Sequence, residues 1–389
     1  MSYRKNYAYK SSNHRKPRPK AGRGVYIDPA RFVQQATAAD NAAYEPAHSF
    51  EDFAINPHIK VNLANLGYRI PTPIQDQAIP VALEGKDVIG LASTGTGKTA
   101  AFGVPIINRL AAEPTAKAII IAPTRELAQQ IEAEFRQIAL GSGIRGAVLI
   151  GGTSMSPQTR DMRANPRIVI GTPGRIKDHM ERRNLNLATF NIVVLDEVDR
   201  MLDMGFINDI RTIFGQTAHD RQSFFFSATM DARVNGLIQN FSADAVTISV
   251  KSGVTADNIN QDMVRYGSPS EKMDKLHDAL LKSEKVIIFD ETKRNVEKLG
   301  KELLLRGFKA DSIHGGKNQS QRQRALKRFK DNEVNVLVAT NVAARGIDVI
   351  DVTHVINYSL PQTYDDYIHR IGRAGRAGRV GHALTFVPH

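Results

Sequence analysis

Short, mainly apolar runs recur along this chain, each too brief for anything but a strand buried on both faces. Residues 87–91, 118–122, 167–170, 192–195 and 224–226 are such runs, most of them followed by a stretch of helical composition. A strand with no polar side must be covered on both faces, so the alternation predicts successive βαβ units and a parallel sheet. The pattern then starts again. Residues 286–289, 336–338 and 355–356 form a second set of strands. Between them, residues 292–305 read as a helix with Val296, Leu299 and Leu303 on one face and Gly307 as a suitable C-cap. The polar run 251–257, containing Gly253, separates the two series as a linker. The expected fold class is therefore α/β, with two parallel-sheet domains in tandem over residues 50–250 and 258–389.

Charge is spread unevenly. The net charge is +12, from 52 Lys and Arg against 40 Asp and Glu, and residues 1–27 hold eight of the cations and no acid. With Pro17, Pro19, Gly22 and Gly24 and few branched aliphatics, this stretch cannot bury enough apolar surface to offset its ordering entropy. Residues 1–49 are expected to be a basic, largely disordered extension. Tyr3, Tyr7 and Tyr9 can stack on bases while the cations neutralise phosphates. A plain solubilising tail accounts equally well for this composition, and a transit peptide less well, since no amphipathic period is present. Cysteine is absent, which excludes disulfides, thiolate metal sites and a cysteine nucleophile. No stretch approaches the roughly eighteen consecutive apolar residues of a membrane helix. The chain is expected to be cytoplasmic, with no membrane partner.

The most specific local signal is Ala92-Ser93-Thr94-Gly95-Thr96-Gly97-Lys98-Thr99, which follows an expected strand and opens an expected helix. That setting suits a P-loop. Gly95 and Gly97 let backbone N–H groups approach phosphate oxygens, Lys98 reaches the β and γ phosphates, and the Thr99 hydroxyl can ligate Mg²⁺. Ala92 stands where the first glycine of the pattern is usual. A second acidic site follows the run 192–195 as Asp196-Glu197-Val198-Asp199, at the carboxyl edge where open α/β sheets bind ligands. Asp196 would hold Mg²⁺, and Glu197 would position or deprotonate the attacking water.

The order of motifs resembles the DEAD-box ATP-dependent RNA helicases of helicase superfamily two, from Phe50 almost to the last residue. Gly67-Tyr68 with Pro71-Thr72-Pro73-Ile74-Gln75 resembles the adenine-reading Q motif, and Phe50 sits where that family has a stacking aromatic. Pro123-Thr124-Arg125-Glu126-Leu127-Ala128, Gly151-Gly152 and Thr172-Pro173-Gly174-Arg175 look like the first domain's RNA-binding motifs. Ser227-Ala228-Thr229 looks like the motif coupling hydrolysis to strand separation, together with Asp199 and His369. In the second domain the order continues with residues 288–292, Gln319 with Arg322, Ala339-Thr340, Ala344-Arg345-Gly346-Ile347-Asp348, and residues 369–376.

The resemblance implies two RecA-like domains, ATP and Mg²⁺ as cofactors, and RNA bound with little sequence specificity. It assigns Lys98, Glu197, Arg373 and Arg376 to catalysis, with Arg373 and Arg376 as charge-stabilising fingers. The nucleotide would be held by Phe50, Tyr68, Gln75, Ser93, Thr94, Gly95, Thr96, Gly97, Lys98, Thr99, Gly346 and Asp348. RNA would meet Pro123, Thr124, Arg125, Gly152, Thr172, Gly174, Arg175, Thr292, Arg322 and Thr340. A Gln amide can pair with the donor and acceptor that adenine presents together. Taken alone, Gln75 is equally an ordinary surface residue, and Arg373, Arg376, Arg370 and Arg379 equally a nucleic-acid patch. The expected activity is RNA-stimulated ATP hydrolysis driving local, non-processive unwinding or ribonucleoprotein remodelling by a monomer with protein partners. An ATP-gated RNA clamp and a DNA-directed translocase are the alternatives. Two residues depart from the family: Val198 for alanine, expected to repack with activity retained, and Asn341 for aspartate after Thr340, which puts one interdomain or RNA contact in doubt. The chain stops at His389, directly after the expected strand 382–387, and reads as a fragment.

Overall fold

The structure is a computed structural model that describes residues 27–36, 44–93, 95–250, 258–344, 349, 351–375 and 379–389. Among these residues two parallel sheets form. The first contains β1 (Val88–Leu91), β2 (Ala118–Ile121), β3 (Gly146–Leu149), β4 (Ile168–Gly171), β5 (Ile192–Asp196), β6 (Gln222–Ser227) and β7 (Val246–Ser249), in the order β3-β4-β2-β5-β6-β1-β7. The second contains β8 (Ile259–Tyr266), β9 (Val286–Phe289), β10 (Ala310–Ile313), β11 (Val336–Ala339), β12 (His354–Asn357) and β13 (Gly381–Pro388), in the order β10-β11-β9-β12-β13-β8. Numbered within its own domain, each sheet runs third, fourth, second, fifth, sixth, first. The first domain adds β7 beyond its first strand.

Alternation along the central strands explains the two-sided burial. In β2, Ala118 and Ile120 face one apolar cluster while Ile119 and Ile121 face the other. In β9, Ile287 and Phe289 divide from Val286 and Ile288 in the same way. Each fully buried Val or Ile contributes about 1.5–3 kcal/mol, which fixes the register. The loops after β1, β2, β4 and β5 consequently gather along one carboxyl edge.

Of the extension expected to be largely disordered over residues 1–49, the structure describes residues 27–36 and 44–49, which pack against the domains. Pro29–Phe32 forms a 3-10 turn whose Asp28 side chain accepts from the Ala30 N–H, and Phe32 is buried in the second domain's core. The Tyr44 hydroxyl and the backbone N–H groups of Ala47 and His48 donate to the Asp76 carboxylate of the first domain. An average taken over a basic tail conceals Ile27 and Phe32, which carry the docking. Residues 1–26, 37–43 and the expected linker 251–257 lie outside the described residues. Among the described residues no helix is long and apolar enough to cross a membrane.

Candidate active site

The turn after β1 is held open by glycine. Gly97 precedes the helix Lys98–Ala112 at φ +90°, and a Cβ there would fall 2.3 Å from Gln75 Nε2. Gln75 is buried beside it, donating from Nε2 to the Gly97 carbonyl at 3.0 Å while Oε1 accepts from the Thr72 N–H at 3.0 Å. These bonds use one donor and one acceptor of an amide that has two of each. Within the loop, the Thr96 hydroxyl donates to the Ser93 carbonyl, and Lys98 Nζ donates 3.0 Å to the carbonyl of Ala92. Thr99 sits half-buried in the helix's first turn, and Gly95 is exposed at φ +85°. Thr94 lies outside the described residues. Phe50 is enclosed by Phe53 and Tyr68 in edge-on contacts, and the Tyr68 hydroxyl donates to Glu134.

Two adjacent carboxylates at the end of β5 are driven in opposite directions. Burial pushes Asp196 up to about 6, with Lys98 opposing and Glu197 adding to the rise. Glu197 is equally buried, yet Arg200, Lys98 and Arg373 together hold it below its ordinary value. Arg200 Nη1 donates to Glu197 Oε2 in a buried ion pair. Glu197 adopts φ 54°, ψ 56°, a conformation that costs a non-glycine residue of order 1–3 kcal/mol and that clusters at functional sites. Carboxylates whose surroundings separate them in this way take different roles. Burial leaves Asp196 with little compensating positive charge, whereas three nearby cations keep Glu197 ionised.

The last acid of the motif is tied to the end of β6. Asp199 Oδ2 accepts from the Ala228 and Thr229 N–H groups and from the Thr229 hydroxyl, each at 3.2 Å, and the Asp199 N–H donates to Ser227 Oγ. Val198 is wholly buried in the first domain's core, as expected for a residue packed behind the acids. Opposite lies the second domain's helix Tyr364–Ile371. His369 and Arg373 from that side share one cleft of about 430 Å³ with Ser93, Lys98, Glu197, Asp199 and Thr229. Burial lowers the His369 pKa, helped by Arg200 and Arg373 and opposed by Asp199 and Glu197. The helix ends at Ile371, so Arg373 comes from the turn beyond it, its Nε donating to the His369 carbonyl. Gly346, Asp348 and Arg376 lie outside the described residues.

The remaining loops collect cations and helix starts. Thr124 caps the helix Arg125–Ile138, and Thr292 caps Lys293–Leu305, each hydroxyl accepting a backbone N–H at 3.2 Å. Arg125 lies over Gly152, where a Cβ would fall 1.9 Å from its Nη1. Burial, then Arg322 and Arg175, press the Arg125 pKa down, so an anion at this cluster would relieve mutual repulsion. Arg175 donates to the Thr153 carbonyl, Thr172 precedes the helix Pro173–Glu181, Gly174 is exposed, and the Thr340 N–H donates to Ile313. Pro123 precedes the Thr124 cap and is buried.

Residues 72–237 match the DEAD/DEAH box helicase model, and residues 271–378 match the helicase conserved C-terminal domain. The chain belongs to the DEAD/DEAH box helicase family. It is 44% identical over 343 residues to the ATP-dependent RNA helicase CshA of Limosilactobacillus reuteri, covering 87% of this chain and 69% of that protein. The DEAD-box ATP-dependent RNA helicase CshA of Bacillus subtilis is 43% identical, with the same coverage of 87% and 69%. Among solved structures, S. cerevisiae Dbp5 bound to RNA and ADP BeF3 matches with a TM-score of 0.79 at 30% identity, over 88% of this chain and 90% of that one. Mss116p bound to ssRNA and AMP-PNP matches with a TM-score of 0.78 at 31% identity, over 89% of this chain and 76% of that one.

Several residues of this helicase make contacts that motif reading did not name. Arg322, expected at RNA, is buried with Nε 2.8 Å from Glu126 of the first domain, and Gln319 joins Glu126 and Gln129. Glu126 thus anchors the domain contact, although nothing but its place in the quoted motif marked it. Asn341 accepts at 2.6 Å from Arg370, which also donates to Asn357 and the Ser359 carbonyl, so its observed partner lies within the second domain. Arg200 was invisible because its partner, Glu197, was assigned to water rather than to a cation.

Proposed function

We propose that this helicase hydrolyses ATP when RNA draws its two domains together, and uses the closure for local, non-processive separation of RNA duplexes or remodelling of ribonucleoproteins. The observation that carries the reading is the cleft shared by Lys98 and Glu197 with His369 and Arg373. Lys98 would leave the Ala92 carbonyl for the β and γ phosphates, Gln75 would offer its remaining donor and acceptor to adenine, and Phe50 would back the base. Glu197 would accept the proton of the attacking water, while Arg373, with Arg376, would offset charge on the γ-phosphate. Asp196 and Thr99 would hold Mg²⁺, which when bound supplies positive charge to the phosphate oxygens. Asp199, bonded to Ala228 and Thr229, would pass the change at the acids to the second domain.

RNA would lie across Thr124, Arg125, Gly152, Thr172, Gly174, Arg175, Thr292 and Thr340, where hydroxyls, amides and guanidinium groups meet phosphate and sugar without reading bases. Arg322 would act mainly through Glu126, holding this surface continuous between the domains. The protein would work in the cytoplasm as a monomer that joins ribonucleoprotein complexes.

The test compares ATPase rates with single-stranded RNA, single-stranded DNA and no nucleic acid, beside unwinding of a short RNA duplex. RNA alone should raise the rate by about tenfold or more, with strand release that requires ATP. Equal stimulation by DNA would favour a DNA-directed translocase, and ATP-dependent RNA retention without unwinding would favour a clamp.

A further inference from the structure

Residues 27–36 precede the first domain in sequence yet complete the second. Phe32 is 1% exposed, with its ring centroid 4.8 Å from that of Tyr367, and the Arg31 guanidinium lies 3.6 Å above the Tyr364 ring. Gln34 and Gln261 exchange both backbone hydrogen bonds, at 3.0 and 2.7 Å, as an antiparallel bridge on the outer edge of β8. The Ala36 N–H donates to Asn260 Oδ1 at 2.9 Å, and the Gln261 side chain joins Gln34 to the Tyr367 hydroxyl. In the first domain the corresponding edge, beside β1, is covered by β7. The N-terminal segment therefore fills in one domain the place a strand fills in the other.

Both tyrosines belong to the eight-residue helix Tyr364–Ile371, which bears His369 and leads to Arg373. A helix of about two turns has little stability of its own and takes its direction from what packs against it. Tyr364 and Ile368 also line the cleft that holds Lys98 and Glu197, so a small rotation of this helix would move Arg373 relative to the nucleotide. We propose that Phe32 and Arg31 are positioning residues for hydrolysis, fixing the helix so that Arg373 meets the γ-phosphate. This rests on the role given above to Arg373.

The test measures RNA-stimulated kcat, KM for ATP and melting temperature for Phe32→Ala, Phe32→Leu, Arg31→Ala, Arg373→Ala and the doubles with Arg373→Ala. Phe32→Ala should lower kcat about tenfold with KM within about twofold, and Arg31→Ala, which removes one exposed cation–π contact, about threefold. Phe32→Leu keeps most of the buried volume, so its melting temperature should stay within about 4 °C while kcat still falls about threefold. In the Arg373→Ala background none of these changes should lower kcat further. Unchanged kcat in the Phe32 and Arg31 variants would overturn the proposal, as would equal losses in both backgrounds. A wild-type kcat in Arg373→Ala alone would instead overturn the role of that arginine, and with it any action of the segment through it.

Discussion

Because the two sheets run in the same strand order, each loop at the carboxyl edge of the first domain has a counterpart in the second. After the second strand both domains cap a helix with threonine, Thr124 and Thr292. Beyond the third strand stand Gly151-Gly152 and Gly315-Gly316, and the fourth is followed by Thr172 and Thr340. The first and fifth strands break the likeness. β1 leads into Ala92–Thr99 and β5 ends in Asp196-Glu197, whereas β8 is followed by Gly267-Ser268-Pro269 and β12 by Tyr358-Ser359. A repeating polymer can be met twice by the same chemistry, so the surface proposed for RNA is duplicated. One nucleotide needs one phosphate cradle, so on the proposed reading the second domain keeps the frame and would contribute groups that approach from across the cleft.

The largest asymmetry should appear between the loops after the first and fifth strands. Lys98→Ala and Glu197→Gln should each lower kcat by about a thousandfold or more. Ser268→Ala, in the counterpart loop, should cost about 1 kcal/mol of stability through the lost cap on Glu271 and leave kcat within about twofold. A Glu197→Gln enzyme within about tenfold of wild type would remove its assigned role.

Arg322→Ala ranks next, since it leaves Glu126 buried with its cation gone. A penalty of about 3 kcal/mol on the closed form should lower RNA-stimulated kcat/KM about a hundredfold, with basal ATPase much less affected. The duplicated surface is tested by Thr124→Val and Thr292→Val in RNA titrations. Each should weaken RNA binding by a similar factor of about three to ten, and effects differing by more than about tenfold would contradict the equivalence.

The smallest effect concerns the sheets themselves. β12 pairs His354 with His382 where β5 pairs Ile192 with Gln222. Burial and then His382 bring the His354 pKa from 6.5 down to about 4. The unfolded chain therefore takes up the proton first, and stability that is full above pH 6.5 drains as pH falls toward 4. Allowing for partial exposure, His354→Asn should recover about 1 kcal/mol of this loss, read as a flatter melting temperature between those pH values in the second domain's transition.

What the sequence disclosed follows the same physics. β2, β5 and β9 were legible because neither face meets water, so apolar runs mark them without ambiguity. β8 escaped notice because exposed Asp262 and Arg265 break its run, and β3 begins with exposed Gly146. At the site, residues whose chemistry lies in consecutive positions were readable, namely the phosphate loop and the acids, whereas the capping by Thr124 and Thr292 emerged only from the structure. Arg322 with Glu126 is a partnership across 196 positions, and Phe32 with Tyr367 spans more, so neither pattern nor propensity could join them. The Arg200–Glu197 pair is close in sequence but depends on the left-handed turn at Glu197.

The central claim is that one incomplete nucleotide site and one duplicated polymer surface are completed by the same closure, which makes the two ligands thermodynamically coupled. Its most direct test is a binding square on the full chain, in which the affinity of a non-hydrolysable ATP analogue is measured with and without saturating single-stranded RNA, and that of RNA with and without the analogue. The account predicts that each ligand tightens the other by the same factor, about tenfold or more, and that Arg322→Ala reduces this factor toward one. Affinities that do not change along either side of the square would contradict it.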